Sequence, residues 1–279
     1  MKTILIPTDF SNCADRAAQM AINIAKSNDY QLHFLHLMST PVNWLQLSHE
    51  EQLMYKDVRE KVNLADDKLD QIVQRAEGEG VAAKKFLKFD DSDQVILEHI
   101  DNHTVDMVVM GSHGAKGVKE FFLGTNAQRI VRHSRVPVLI TRETDHIAPI
   151  KSIAFVSDFD AEMVDHFRST LSLARMIGVR VRLVFINVPL NFTDTPTVEA
   201  RMRVYEELES DLIEAKDIYN FGDFEDAIKY YCAEHEVGLL SMLTHGRRGL
   251  DRFFAGSLTE SVINHVNLPV LSKNARVNL

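Results

Sequence analysis

"KTILIPTDFS", residues 2–11, opens the chain with a continuous apolar run, then Pro7 and Thr8, an aspartate at position 9 and a hydroxyl at Ser11. A run that is apolar at every residue, not at alternate ones, is what a strand buried on both faces requires. Ser11 stands where it can cap a helix in which Ala14, Ala17, Ala18, Ala21 and Ile24 share one face. The same construction returns as "KSIAFVSDFD" at residues 151–160. "HGAKGVKEFFLGT" (113–125) returns as "HGRRGLDRFFAGS" (245–257), and "RVPVLIT" (135–141) as "NLPVLSK" (267–273). The order is kept, so the chain is a tandem duplication.

Spacing locates the difference between the copies. Asp9 and Asp158 lie 149 residues apart, whereas Gly114 and Gly246, like Phe89 and Phe221, lie 132 apart. The second copy is therefore 17 residues shorter, and the loss falls in its second helix region. In the first copy, strands are expected at Thr3–Pro7, Leu32–Met38, near Ala82–Phe89, at Asp106–Gly111 and at Val136–Thr141. Between them fall a helix from Ser11, a long charged helix over about 50–77, one capped by Ser92 or Asp93, and one from Thr125. In the long helix, Val58, Val62, Leu69, Ile72 and Ala76 are expected inward. The second copy predicts strands at Ser152–Ser157, Val181–Val188, Lys216–Phe221, Gly238–Leu243 and Pro269–Lys273. Its helices are expected over 160–178 and 198–212, and from Asp223 and Ser257. Such alternation gives parallel sheets with right-handed crossovers. The expected fold is α/β: two doubly wound, five-stranded domains of strand order 3-2-1-4-5, over residues 1–142 and 150–274. The polar join "RETDHIAPI" (142–150) suits a short linker.

In a doubly wound sheet, ligands sit beyond the carboxyl ends of the strands where strand order reverses. Asp9 follows strand one and Gly111 ends strand four, and these strands would be neighbours there. The stretch "MGSHGAKGVKEFFLGTNAQRI" (110–130) carries G-x2-G-x9-G-[ST], which is neither a Walker loop nor the Rossmann G-x-G-x-x-G. Amides bared by Gly111 and Gly114, with a helix opening at Gly124 and Thr125, would favour an anion. The Thr125 hydroxyl is placed either to cap that helix or to donate to phosphate.

With this motif, the "PTDFS" opening, the strand-two "LHLM" and the closing "RVPVLI", nearly the whole chain resembles the universal stress protein family in its tandem two-domain form. The resemblance implies an ATP-binding fold, with ATP, ADP or AMP as occupant and Mg²⁺ carried through the phosphates. By position, Pro7, Thr8 and Asp9 would face adenine and ribose, Leu37 would lie against adenine, and Gly111, Gly114, Gly124, Thr125 and Asn126 would hold ribose and phosphates. Asp9 as a local cap and Leu37 as plain core are the structural alternatives. The second copy keeps Asp158, Val188, Gly246, Gly256 and Ser257 but has Leu243 where the first has Gly111. The amino-terminal half is therefore expected to bind, and the second weakly or not at all. Family members usually dimerise through strand five, so the two halves are expected to pair through it within one chain, with further homodimerisation open.

Composition narrows the classes. The chain is 45% hydrophobic and 25% charged with net charge −9, which argues against nucleic acid or an anionic membrane as the main partner. No apolar run approaches the ~18 residues of a membrane span, the opening residues suit a strand better than a signal peptide, and cytoplasm is the expected location. Cys13 and Cys232 are expected to be buried free thiols. The twelve histidines are read as polar or core residues: His33 and His36 point to opposite faces of a strand, no H-x-x-x-H or H-E-x-x-H is identified, and no metal site is expected. No nucleophile elbow, base or arginine finger can be placed, so no catalytic residue is assigned. Three functions follow: a nucleotide-binding stress or regulatory protein with little or no turnover, a slow ATPase or nucleotide-transferring enzyme, or an interaction module without nucleotide.

Overall fold

The computed structural model of the chain describes residues 2–26, 29–90, 92, 94–113, 124–142, 150–189, 192–243, 262 and 266–273. In the first half, β1 (Lys2–Pro7), α1 (Asn12–Ala25) and β2 (Tyr30–Leu37) precede α2 (His49–Met54) and α3 (Lys56–Gly78). Next come β3 (Ala82–Lys88), α4 (Gln94–Asn102), β4 (Met107–Gly111), α5 (Thr125–His133) and β5 (Val138–Thr141). The second half repeats the plan through β6 (Ser152–Val156), α6 (Val164–Ile177), β7 (Arg180–Asn187), α7 (Thr195–Leu208), β8 (Ile213–Asn220), α8 (Phe224–Glu234), β9 (Leu239–Ser241) and β10 (Val270–Ser272).

All ten strands form one sheet, ordered β3-β2-β1-β4-β5-β10-β9-β6-β7-β8. Within each half the order is 3-2-1-4-5, as expected, and the ladders are parallel. The halves meet where β5 and β10 pair antiparallel, Val138 with Ser272, Leu139 with Leu271 and Ile140 with Val270. Alternate strand residues feed two cores. Ile4, Ile6, Leu32 and Phe34 pack with α1, α3, α6 and α7 on one face. Leu5, Leu35, Val108 and Ile140 pack with α4, α5 and α8 on the other. Doubly covered strands explain the uninterrupted apolar runs.

Caps account for most helix starts. Ser11 Oγ accepts from the Ala14 amide, 3.2 Å, and Asp223 Oδ1 accepts from the Glu225 and Asp226 amides at 2.9 and 3.1 Å. The expected long helix is broken: a Ser48–Glu51 capping box starts α2, and the chain leaves helical geometry at Tyr55 before α3. In α3, Leu69 and Ala76 are buried as expected and Ile72 partly so, while Ala65 is buried and Val58 and Val62 only half-buried. The 17-residue loss falls here, for α7 has 14 residues against 23 in α3 and no α2 precedes it. The second copy also opens with a 3-10 turn, Ala161–Met163, before α6, and β8 begins three residues earlier than expected. Cys13 and Cys232 are buried and free, and burial raises the Cys232 thiol to about 12. Among the described residues, no helix is long and apolar enough to cross a membrane.

One buried polar group ties α6 to the sheet. Thr170 Oγ1 donates to the His166 carbonyl, 3.1 Å, so the Ser241 hydroxyl must donate to Thr170, 2.7 Å, and accept from His166 Nε2, 3.0 Å. His166 is then neutral, its Nδ1 without a hydrogen-bond partner among the described residues, and burial lowers its pKa from 6.5 to about 3. The unfolded chain takes up this proton near 6.5 and the folded chain only near 3. Below 6.5 the unfolded state therefore binds more protons, and stability falls as pH drops, by about 1.4 kcal/mol per unit from this group. Urea midpoints against pH should show that fall in the wild type and a shallower one, by about that slope, in His166→Gln. Identical slopes would place the titration elsewhere.

Candidate functional site

The carboxyl end of β1 is held by its neighbours. The Thr8 amide donates to the Leu35 carbonyl, 2.9 Å, and Thr8 Oγ1 accepts from the Phe10 amide, 3.1 Å. Phe10 then adopts φ 63°, and its counterpart Phe159 adopts φ 59°, a left-handed conformation that non-glycine residues seldom take. The turn directs Asp9 to solvent, where Oδ1 accepts from the Ser11 amide, 3.1 Å. Asp9 thus braces the entry to α1 while staying exposed. The neighbouring carbonyl of Thr8 accepts from His36 Nδ1, 2.7 Å, and the Phe10 ring lies 4.4 Å from His36 with Lys68 Nζ 5.1 Å from its centre. Burial holds His36 below the usual imidazole range. Pro7 is half-buried opposite Leu35, and Leu37 ends β2, half-buried against the core under α4 and α5.

Gly111 ends β4 against α1. A Cβ there would sit 2.8 Å from Cys13 Sγ and 3.1 Å from the Cys13 carbonyl carbon, so the absence of a side chain lets β4 and α1 approach. The close approach is to Cys13. Cys13 Sγ also reaches the Thr141 carbonyl, 3.4 Å, and Ser112 Oγ, 3.8 Å. Gly124 returns to this corner, its amide donating to the Ser112 carbonyl at 2.7 Å. Gly124 is the N-cap of α5, which corrects the expectation that Thr125 caps it: Thr125 is the first helical residue, exposed, with its hydroxyl 3.4 Å from Asn126 Oδ1. A glycine cap supplies no side-chain acceptor, so among the described residues no side-chain hydrogen bond caps the first turn of α5. Asp9, Gly111, Gly124, Thr125 and Asn126 are therefore gathered by contacts through Ser11, Cys13 and Ser112. Gly114 lies outside the described residues.

The corresponding corner of the second half is built differently. Leu243 is half-buried against the core that contains Phe159 and Met163, in place of the bare β-carbon position of Gly111. Asp158 has one carboxylate oxygen buried without a partner among the described residues, and burial, then Asp160, raise its pKa. Arg201 of α7 donates to the Asp158 carbonyl, 3.2 Å, and pairs with Asp160 at 3.3 Å, while the Tyr205 hydroxyl donates to the Asp160 carbonyl. Through these contacts α7 closes over the loop after β6. Val188 follows β7; Val156 pairs with Val184 as Pro7 pairs with Leu35, so Ile186, not Val188, stands at the level of Leu37. Gly246, Gly256 and Ser257 lie outside the described residues.

The histidines correct the sequence-based expectation. His33 and His36 do face opposite sides of β2, but an H-x-x-x-H pair was overlooked: His99-Ile100-Asp101-Asn102-His103. His99 and His103 lie one helical turn apart and meet His33 across 66 residues of sequence, with His33 Nδ1 3.1 Å from His99 Nε2. The i, i+4 spacing was the available signal; its partner on β2 was not legible locally.

The sequence pattern of the universal stress protein family matches residues 1–142 and 149–272. Universal stress protein MJ0531 of Methanocaldococcus jannaschii is 28% identical over 143 residues, 51% of this chain and 82% of its own length. Universal stress protein YxiE of Bacillus subtilis is 26% identical over 144 residues, 50% of this chain and 97% of its own. A solved universal stress protein from Archaeoglobus fulgidus superposes with TM-score 0.72 at 19% identity over 98% of both chains, a likeness of fold across both halves.

The contact between Gly111 and Cys13 has a measurable consequence. Gly111→Ala should lower stability by about 1–3 kcal/mol through overpacking, and adding Cys13→Ala should recover part of that loss. Urea denaturation of the single and double variants measures both; a Gly111→Ala protein as stable as the wild type would remove packing as the reason for the glycine.

Proposed function

The chain belongs to the universal stress protein family, and from that premise we propose that its amino-terminal half, residues 1–142, binds an adenine nucleotide, ATP in the first instance, in a regulatory role with little or no catalysis. The observation that carries this is the start of α5: a nine-residue helix whose first turn has no side-chain cap among the described residues, held by Ser112 beside Gly111 in the corner that Asp9 enters from β1. Uncapped amides and the helix dipole suit phosphate oxygens, and exposed Thr125 and Asn126 add donors at the same place. Asp9, exposed between Thr8 and the start of α1, is positioned for ribose hydroxyls, with Pro7 and Leu37 offering apolar contact to a base.

The second half, residues 150–274, supports a different reading. Leu243 occupies the glycine position and Arg201 braces the Asp158 loop from α7, so this half is assigned a structural or partner-binding role without nucleotide. Calorimetric titration with ATP tests both assignments. One equivalent should bind the wild type without product forming; Gly114→Val should weaken it about tenfold or more, ~1.4 kcal/mol, and Gly246→Val should leave it unchanged. The reverse pattern would exchange the roles of the halves, absent binding would leave the interaction module, and phosphate release would make the protein an ATPase.

A further inference from the structure

We propose that His33, His99 and His103 form a site for one divalent transition cation of the zinc class, on the α4 face of the amino-terminal half and apart from the corner between β1 and β4. One ring nitrogen from each residue lies within 4.8 Å of the others. The 3.1 Å between His33 Nδ1 and His99 Nε2 is close to the ~3.3 Å separating two nitrogens on a tetrahedral zinc with Zn–N near 2.05 Å. His103 follows α4, and its amide donates to the His99 carbonyl at 3.1 Å, so it keeps the helical turn that stacks the two imidazoles.

The hydrogen bonds leave ligand capacity over. The Gln31 Oε1 acceptor, 3.2 Å away, holds the proton of His33 on Nε2. His33 Nδ1 then offers its lone pair and accepts from His99 Nε2 while no cation is bound; a cation held between these two nitrogens replaces that hydrogen bond, and the His99 proton moves to Nδ1. His99 Nδ1 is left buried with no hydrogen-bond partner among the described residues. A metal-bound histidine usually donates its remote ring nitrogen to an oxygen acceptor, and the Gln31 side-chain oxygen stands in that place. Coordination uses the neutral imidazole, with a lone pair on the nitrogen that faces the ion. Phe86 packs against all three rings and walls the cluster, while exposed His103 leaves a side open for water as a fourth ligand.

The duplicated half supplies an internal control. Arg182, Tyr231 and His235 stand at the positions of His33, His99 and His103. There the slot is closed by protein groups: Arg182 donates to Tyr231 Oη at 2.8 Å, to Glu214 at 2.7 Å and to Asp217 at 3.0 Å. The first half replaces a network of one guanidinium, a phenol and two carboxylates with imidazoles. Three imidazoles select zinc, cobalt, nickel or copper over magnesium or calcium, which prefer oxygen. The ammonium groups of Lys84 and Lys88 are close enough to oppose protonation of His33 and His99, and they oppose a dication too, so the imidazoles bind against that repulsion.

Cobalt(II) added to the untagged, full-length chain without nucleotide is the probe. The wild type should bind one equivalent with the visible absorption of a four-coordinate ion, release it to Zn²⁺, and gain thermal stability with either metal. Gln31→Leu should weaken Zn²⁺ about 10–100-fold, and His103→Ala should cost at least as much and abolish the thermal shift, with an unchanged melting temperature in metal-free buffer. Should His103→Ala fail to fold, His103→Gln carries the same comparison. Weak binding at several equivalents, or one equivalent retained by the His103 variant with the same spectrum, would overturn the site. None of these readouts depends on whether ATP binds.

Discussion

The antiparallel pairing of β5 with β10 is the contact on which the two-lobed architecture depends. Each strand is short, four and three residues, and each ends its own five-stranded sheet. Left unpaired, either would present bare amides and carbonyls to solvent or to other chains. Leu139 pairs with Leu271, its own counterpart in the repeat, while Val138 and Ile140 meet Ser272 and Val270. A residue that pairs with its duplicate marks a local two-fold relation, the self-complementary geometry of an isologous interface, here enclosed in one chain. Because strands are parallel within each half but antiparallel across the join, the carboxyl ends of the two halves open at opposite edges of the common sheet. The two corners are thus held apart by the fold, and one can change without disturbing the other.

That separation is visible in what each copy does with equivalent positions. At the ends of the fourth strands, Gly111 admits Cys13 while Leu243 packs into the core. Under α4 and α8, the imidazoles of His33 and His99 correspond to the guanidinium of Arg182 and the phenol of Tyr231, and His103 to His235. Backbone features are kept where they shape the fold: the left-handed Phe10 and Phe159 after the paired aspartates, and the left-handed Thr104 and Glu236 after α4 and α8. Shared conformational constraints with divergent side-chain chemistry are what a duplication produces once the scaffold is secure.

Much of this was legible locally. Apolar runs such as "TILIP", the caps Ser11 and Asp223, and the change of repeat spacing from 149 to 132 each depend on neighbouring residues or on the chain compared with itself. What escaped depends on competition or distance. The break at Tyr55 follows from a capping box that starts a separate short helix, although the charge pattern reads continuously through it. The cap of α5 passed from Thr125 to Gly124 because the Gly124 amide is drawn back to Ser112. The histidine cluster needed β2 and α4 side by side, 66 residues apart, before one nitrogen could be placed against another.

Gly111 shows how a motif residue can serve a purpose its motif does not name. A glycine in a phosphate-binding pattern invites the inference that the ligand needs the room, yet the room at Gly111 is taken by Cys13, and a methyl group would collide with protein first. At Gly124 the nearest atoms to an added Cβ, 3.4 Å away, allow ordinary contact, so its distinctive property is the cap it does not provide to α5. The weight of the nucleotide proposal therefore shifts from missing side chains to polar groups: the amides at the start of α5, and the exposed carboxylate of Asp9 at the end of β1. Leu243 is consistent with the same logic. Its side chain packs, half-buried, against the core, so what separates the halves here is the packing at the end of the fourth strand.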